Sequence, residues 1–102
     1  MSVPVRRATP ADEAAAWELV DEYHTTFGVV VRDDRAATRR DIEGPGGVWL
    51  AGDGGAPAGC VVLRPLPALG PRAGEVKRLY VRPAHRGAGV AGALMDALEA
   101  HA

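Results

Sequence analysis

A chain of 102 residues is one domain at most, and 47% hydrophobic against 25% charged residues describes a globular protein, not a disordered one. A formal charge of −1 supplies no general field for nucleic acid, and no run approaches the roughly 20 apolar residues that span a bilayer. One cysteine, Cys60, excludes an internal disulfide, and the opening MSVPVRRATPADE lacks the apolar stretch of a secretory signal, so a cytoplasmic protein without nucleic-acid or membrane partners is expected.

Val3 to Arg7 alternates and predicts a first strand. Thr9, Pro10 and Asp12 then supply an N-cap, a proline at the first helical position and an acid at the third. The helix they start carries Trp17, Val20, Tyr23 and Phe27 at helical spacing, a core stripe, and Gly28 stops it. Asp33 is placed to cap a second helix running through Ile42, which bears Arg35, Arg39 and Arg40 and ends at Gly44, Pro45, Gly46 and Gly47. Val48 to Ala51 and Pro57 to Leu66 read as two strands of a hairpin turning around Asp53, Gly54 and Gly55. Cys60, flanked by Val61, Val62 and Leu63, is expected to be a buried structural thiol. Pro65 to Gly74 is a loop, Glu75 to Val81 a fourth strand, and a helix begins at Gly89 with Val90, Ala91, Leu94, Met95 and Leu98 on one face. His24 and His101 carry only surface or helix-face readings, and no metal site is expected.

Between the fourth strand and that last helix lies HRGAGVAGAL, residues 85–94. Gly87, Gly89 and Gly92 spell G-x-G-x-x-G, but a dinucleotide site needs the glycines straight after a first strand, with a second parallel strand and a ribose-binding acid beyond. This chain has neither, and Arg82 to His85 intervene. A Walker loop fails because there is no G-K-[ST]. What remains is a basic turn at a helix start, where successive N–H groups carry partial positive charge and glycine permits close approach of a diphosphate. Local charge agrees: Arg72, Lys77, Arg78, Arg82 and Arg86 face the single acid Glu75 in that region.

The run EVKRLYVRPAHRGAGVAGALMDALEAHA resembles motif A of the GCN5-related N-acetyltransferases, whose signature [RQ]-x-x-G-x-[GA] is filled by Arg86, Gly89 and Ala91, after a strand of the L-Y-V type (Leu79, Tyr80, Val81). The order of elements before it looks like that family too. The resemblance implies an α+β fold, a mixed, mostly antiparallel sheet with helices on both faces, as a single domain over residues 1–102 that matches about the N-terminal two-thirds of the usual fold. Members usually continue through a fifth strand, a further helix and closing strands, and that helix often supplies a tyrosine acid. The chain accordingly looks C-terminally truncated, with the fourth strand's edge open and room for a homodimer that completes it.

The resemblance further implies acetyl-CoA as cofactor, its pyrophosphate on Arg86, Gly87, Ala88, Gly89, Val90 and Ala91, and its pantetheine arm along the backbone of Leu79, Tyr80 and Val81. The implied activity is acetyl transfer to a primary amine of a small-molecule or peptide acceptor; the alternative is a CoA-binding or association module without chemistry. In similar proteins a glutamate near the position of Glu75 serves as base, directly or through water, while its other reading is an ion-pair partner for Lys77 or a nearby arginine.

Overall fold

Residues 4–30, 32–52, 57–69, 74–87 and 89–101 are described by the structure, a computed structural model. A short strand β1 (Val5–Arg7) leads through a 3₁₀ turn (Pro10–Asp12) into α1 (Glu13–Thr26), then α2 (Arg35–Glu43). The hairpin strands β2 (Gly47–Ala51) and β3 (Gly59–Pro65) follow, then β4 (Gly74–Val81), a 3₁₀ turn (Pro83–His85) and α3 (Val90–His101). The strands lie in sequence order, β1-β2-β3-β4, and each neighbouring pair is antiparallel. The first strand's Val3 and the hairpin turn at Asp53 to Gly55 fall outside the described residues.

Side chains alternate across a strand, so one sheet builds two cores. On one face Val48, Leu50, Cys60, Val62 and Tyr80 pack against Ala16 and Leu19 of α1 and Ile42 of α2. On the other, Trp49, Ala51, Ala58 and Val61 receive Val90, Leu94 and Leu98 of α3. This is the expected α+β architecture with helices on both faces. Gly59 is where the strands close under α3: a Cβ there would meet the Tyr80 carbonyl oxygen at 2.6 Å.

Local chemistry explains most element ends. Asp12 closes the first turn, its carboxylate accepting the Thr9 N–H at 2.8 Å and both terminal nitrogens of Arg6 at 2.7 Å. The second helix is capped one residue later than expected, because Asp34 accepts the Ala37 N–H at 2.8 Å and leaves Asp33 free for another task. The stripe of α1 is also rotated from its expected position. Ala16, Leu19, Val20 and His24 are the buried residues, whereas Phe27, beyond the helix end, is 59% exposed.

His24 is the main departure from the sequence reading. It is fully buried, its Nε2 accepts the Asp33 N–H at 3.4 Å, and the rings of Trp17 and Tyr23 stand edge-on to it. Burial, and then the nearby positive charge of Arg78, hold its pKa below the ordinary 6.5. Cys60 is buried as expected, donates its thiol to the Arg78 carbonyl at 3.4 Å, and is pushed by burial up to about 12.

Three outcomes follow from this packing. Leu94→Ala, which empties a fully buried site under the sheet, is expected to lower unfolding free energy by about 2–5 kcal/mol in a urea titration. Cys60 is expected to resist alkylation at pH 8 until the chain unfolds; native-state labelling at the rate of a free thiol would contradict its burial. Because the folded chain holds His24 below its ordinary pKa, the unfolded chain binds the proton first, so stability is full above pH 6.5 and declines as pH falls below it. His24→Phe should flatten that decline in urea midpoints taken between pH 7 and pH 5.

Candidate functional site

The end of β4 and the start of α3 are joined by a turn that glycine alone makes easy. Gly87 and Gly89 both take left-handed backbone, at φ +85° and +78°, where an L side chain is strained. A Cβ on either would meet nothing within 4 Å, so conformation, not crowding by the protein, demands glycine. The first bond of the new helix runs from the Ala93 N–H to the Gly89 carbonyl at 3.0 Å. Among the described residues the N–H groups of Gly87, Gly89, Val90 and Ala91 find no protein acceptor. They stand at the positive end of a helix 12 residues long. The turn borders an open pocket of about 150 Å³ lined by Val81, Arg86, Gly87, Gly89, Val90 and Ala91 together with His85 and Gly92.

The second feature lies in β4 itself. Cys60 pairs with Tyr80, but Val62 pairs with Lys77, so three steps on β4 oppose two on β3. The extra residue makes a β-bulge at Arg78 and Leu79. Arg78 is the one described non-glycine residue with positive φ, at +54°. Left-handed backbone at a non-glycine residue costs about 1–2 kcal/mol. Tertiary contacts hold it there: the Arg78 Nε donates to Oδ2 of Asp33 at 3.0 Å, Nη2 lies 2.9 Å from the same oxygen in an ion pair, the guanidinium lies 5.4 Å from the Tyr23 ring centroid, and the carbonyl takes the Cys60 thiol. Asp33 is shared with Arg64, whose guanidinium is itself held at two points by Asp41 at 3.0 and 2.8 Å. Burial works to raise the Asp33 carboxyl, and the Arg78 and Arg64 guanidiniums outweigh it, leaving the group below the usual carboxylate range.

The edge of β4 beyond the bulge is directional. Arg82 donates its N–H to the Ala58 carbonyl across the sheet at 2.8 Å, so alternation along an antiparallel strand turns the N–H and C=O of Val81 away from β3, while Leu79 lies within the bulge, where that alternation breaks. The Val81 carbonyl accepts Nε of Arg86 at 3.0 Å.

The basic stretch is less free than its sequence suggests. Lys77 lies 3.4 Å from Glu75, Arg78 is bound to Asp33, and Arg82 is clasped by Glu18 and Glu22 of α1 at 2.8 and 2.6 Å. Arg72 lies outside the described residues, and so does Ala88 of the predicted site. Of the other predicted residues, Val81, Arg86, Gly87, Gly89, Val90 and Ala91 meet at one pocket. Tyr80 does not: it is buried in the α1-side core and its hydroxyl reaches Glu22 at 3.3 Å. Leu79 is 37% exposed at the bulge, and Glu75, half exposed, lies six residues up the strand from Val81, about 20 Å away at ~3.3 Å per residue. Sequence reasoning gave Asp33 only a capping role, counted Arg78 only in the basic stretch and passed over Glu22. The signal for Arg78 was the adjacent pair Lys77 and Arg78, which breaks the alternation of EVKRLYV.

Comparison with known proteins places this geometry. No curated protein sequence matches the chain. Among solved structures it is similar to a ribosomal-protein-alanine N-acetyltransferase from Brucella melitensis biovar Abortus 2308, with 26% identity, 98% of this chain and 70% of that one covered, and a TM-score of 0.72. It is similar to Rv2747 from Mycobacterium tuberculosis, solved in complex with CoA and NLQ, at 27% identity over 95% of this chain and 55% of that one, TM-score 0.75. The diaminobutyrate acetyltransferase EctA from Paenibacillus lautus, in complex with its substrate L-2,4-diaminobutyric acid and coenzyme A, shares the fold at 22% identity, covering 95% and 56%, TM-score 0.74. The chain therefore spans little more than half the length of the latter two. The model of the acetyltransferase (GNAT) family matches residues 14–102, most of the sequence, and the chain belongs to that family.

Proposed function

We propose that residues 1–102 form one N-acetyltransferase domain that binds acetyl-CoA at the β4–α3 turn and passes its acetyl group to a primary amine of a small-molecule or peptide acceptor. The observation that carries this reading is the set of N–H groups at Gly87, Gly89, Val90 and Ala91 that find no acceptor among the described residues, at a helix N-terminus beside Arg86 and an open pocket. These donors fit a diphosphate, and similar proteins have been solved with coenzyme A. A cytoplasmic setting without nucleic-acid or membrane partners belongs to the same reading; among the described residues no helix is long and apolar enough to cross a membrane.

When bound, acetyl-CoA supplies the activated acetyl group. The turn amides would hold its diphosphate, with Arg86, now bound to the Val81 carbonyl, adding charge to it. The Val81 C=O and the Leu79 N–H would bind its extended arm along β4, and a strand N–H would stabilise charge developing on the thioester oxygen. An acceptor amine with an ordinary pKa of about 10.4 is neutral only about once in 2,500 at pH 7, a handicap of about 4.6 kcal/mol. Glu75 is the acid on β4 nearest to the bulge, and in this reading it takes the ammonium proton directly or through water.

The alternative, a CoA-binding module without chemistry, is favoured by one observation: Glu75 already has Lys77 as a partner. Calorimetry with acetyl-CoA followed by thiol-release assays over a panel of amines separates the two. Heat with thiol release supports the enzyme; heat without thiol supports the module. Arg86→Ala or Gly89→Glu is expected to abolish the heat in either case, and unchanged affinity would remove the turn as the site. Glu75→Gln should lower turnover about 100-fold with acetyl-CoA affinity unchanged, whereas full turnover would leave Glu75 as no more than the partner of Lys77.

A further inference from the structure

The β4 bulge is built on an unfavourable residue. The first position of such a bulge in left-handed conformation is ordinarily glycine, yet residue 78 is an arginine at φ +54°. Backbone strain of this kind persists only where the surroundings over-determine it. Here they do so through a chain of contacts that starts in the core. The buried His24 accepts the Asp33 N–H, which fixes Asp33 ahead of α2, and the Asp33 carboxylate then accepts Nε of Arg78 and pairs with its guanidinium.

We propose that Asp33 is a positioning residue for the acyl-transfer site, holding Arg78 in left-handed conformation so that the β4 bulge presents the Leu79 N–H at the open edge and turns Glu75 to the α1–α2 face of the sheet. This rests on the acetyl-CoA reading for the identity of the group at the edge. The register itself shows what is at stake. With the bulge, Lys77 pairs with Val62 and Glu75 with Arg64, on the face where α1 and α2 pack. Remove the extra residue and Arg78 takes the place opposite Val62, Val76 that opposite Arg64, and Glu75 passes to the α3 face, because a one-residue slip inverts every side chain.

A merely stabilising ion pair is a weaker account. Arg64 and Asp41 already satisfy one another at two points and do not need Arg78. Partly buried ion pairs are poor sources of stability in general. What the Asp33 contact adds is the ionic anchor of a left-handed arginine in the middle of a strand, beside the Tyr23 ring and the Cys60 thiol.

The test exploits glycine, which adopts that backbone unaided. Asp33→Asn, Arg78→Gly and the double variant would be crystallised, and their affinity for acetyl-CoA measured beside the carbonyl stretch of bound, isotope-labelled acetyl-CoA. In Asp33→Asn, residue 78 is expected to move to negative φ with Val62 now opposite residue 78. The carbonyl stretch is expected to lose the downshift of the unsubstituted chain, and acetyl-CoA to lose its affinity advantage over CoA. The double variant is expected to regain the bulge and the downshift. If Asp33→Asn does not fold, Arg78→Met breaks the same clasp from the other side and should give the same slip. A left-handed residue 78 and an unshifted register in Asp33→Asn, or in Arg78→Met, overturn the proposal, as does a double variant that stays slipped. An unsubstituted chain that takes up no acetyl-CoA overturns the donor reading, while the crystallographic φ and register still decide whether Asp33 sets the bulge.

Discussion

One extra residue in β4 governs how this molecule is laid out. A strand reads out its side chains with period two, so an inserted residue inverts everything on one side of it. Beyond the bulge, Tyr80 points into the α1-side core; before it, Lys77 and Glu75 share that side, although in an unbroken strand they would not. The strand also bends there, and its free edge no longer presents an even row of donors and acceptors. The cost of the left-handed arginine is met by contacts from three elements at once, the Asp33 carboxylate, the Tyr23 ring and the Cys60 thiol.

The candidate anion site obeys the same economy of backbone. The turn and the bulge both hold residues at positive φ, Gly87 and Gly89 in the one and Arg78 in the other. At Gly87 and Gly89 the sequence supplies a residue that tolerates this conformation, and at Arg78 the tertiary structure imposes it. Between them, Arg82 ties the end of β4 to α1 through Glu18 and Glu22, which fixes the turn relative to the α1-side core. A site made of backbone is rigid only if its flanking elements are, and this ion cluster joins the two.

What the sequence disclosed follows from range. Glycine-bearing turns, the proline-led start of α1 and the alternating strands are local, and so HRGAGVAGAL, the β2–β3 hairpin strands and α3 could be placed within a residue or two. Asp33 looked like a cap because it precedes a helix; its neighbour Asp34 does that work, and Asp33 is claimed by arginines 31 and 45 residues away. His24 looked peripheral on its own helix, and the loop before α2 buries it. Of the arginines that appeared to form a basic field, Arg78 and Arg82 are neutralised by acids from α1 and the α1–α2 loop. Each miss concerns a side chain whose partner is distant in the chain, where neither spacing nor propensity carries information. The bulge is the intermediate case, since consecutive Lys77 and Arg78 mark a broken alternation without saying which way it breaks.

The outer edge of β4, which no strand pairs with among the described residues, ties these features together. An unpaired edge invites another strand, and natural sheets blunt such edges with bulges and with charged side chains. This edge has both: the bulge at Arg78 and Leu79 interrupts the ladder, and Arg86 lies across the Val81 carbonyl. A second copy adding a strand here would have to displace Arg86 and could pair without interruption only past the bulge. An extended ligand with a charged end has an easier course. In the acetyl-CoA reading, an anion at the turn would give Arg86 a stronger partner than a neutral carbonyl, and the Val81 carbonyl it leaves would be open to an amide-bearing arm. The contact of Arg86 with that carbonyl is what links the turn to the strand edge.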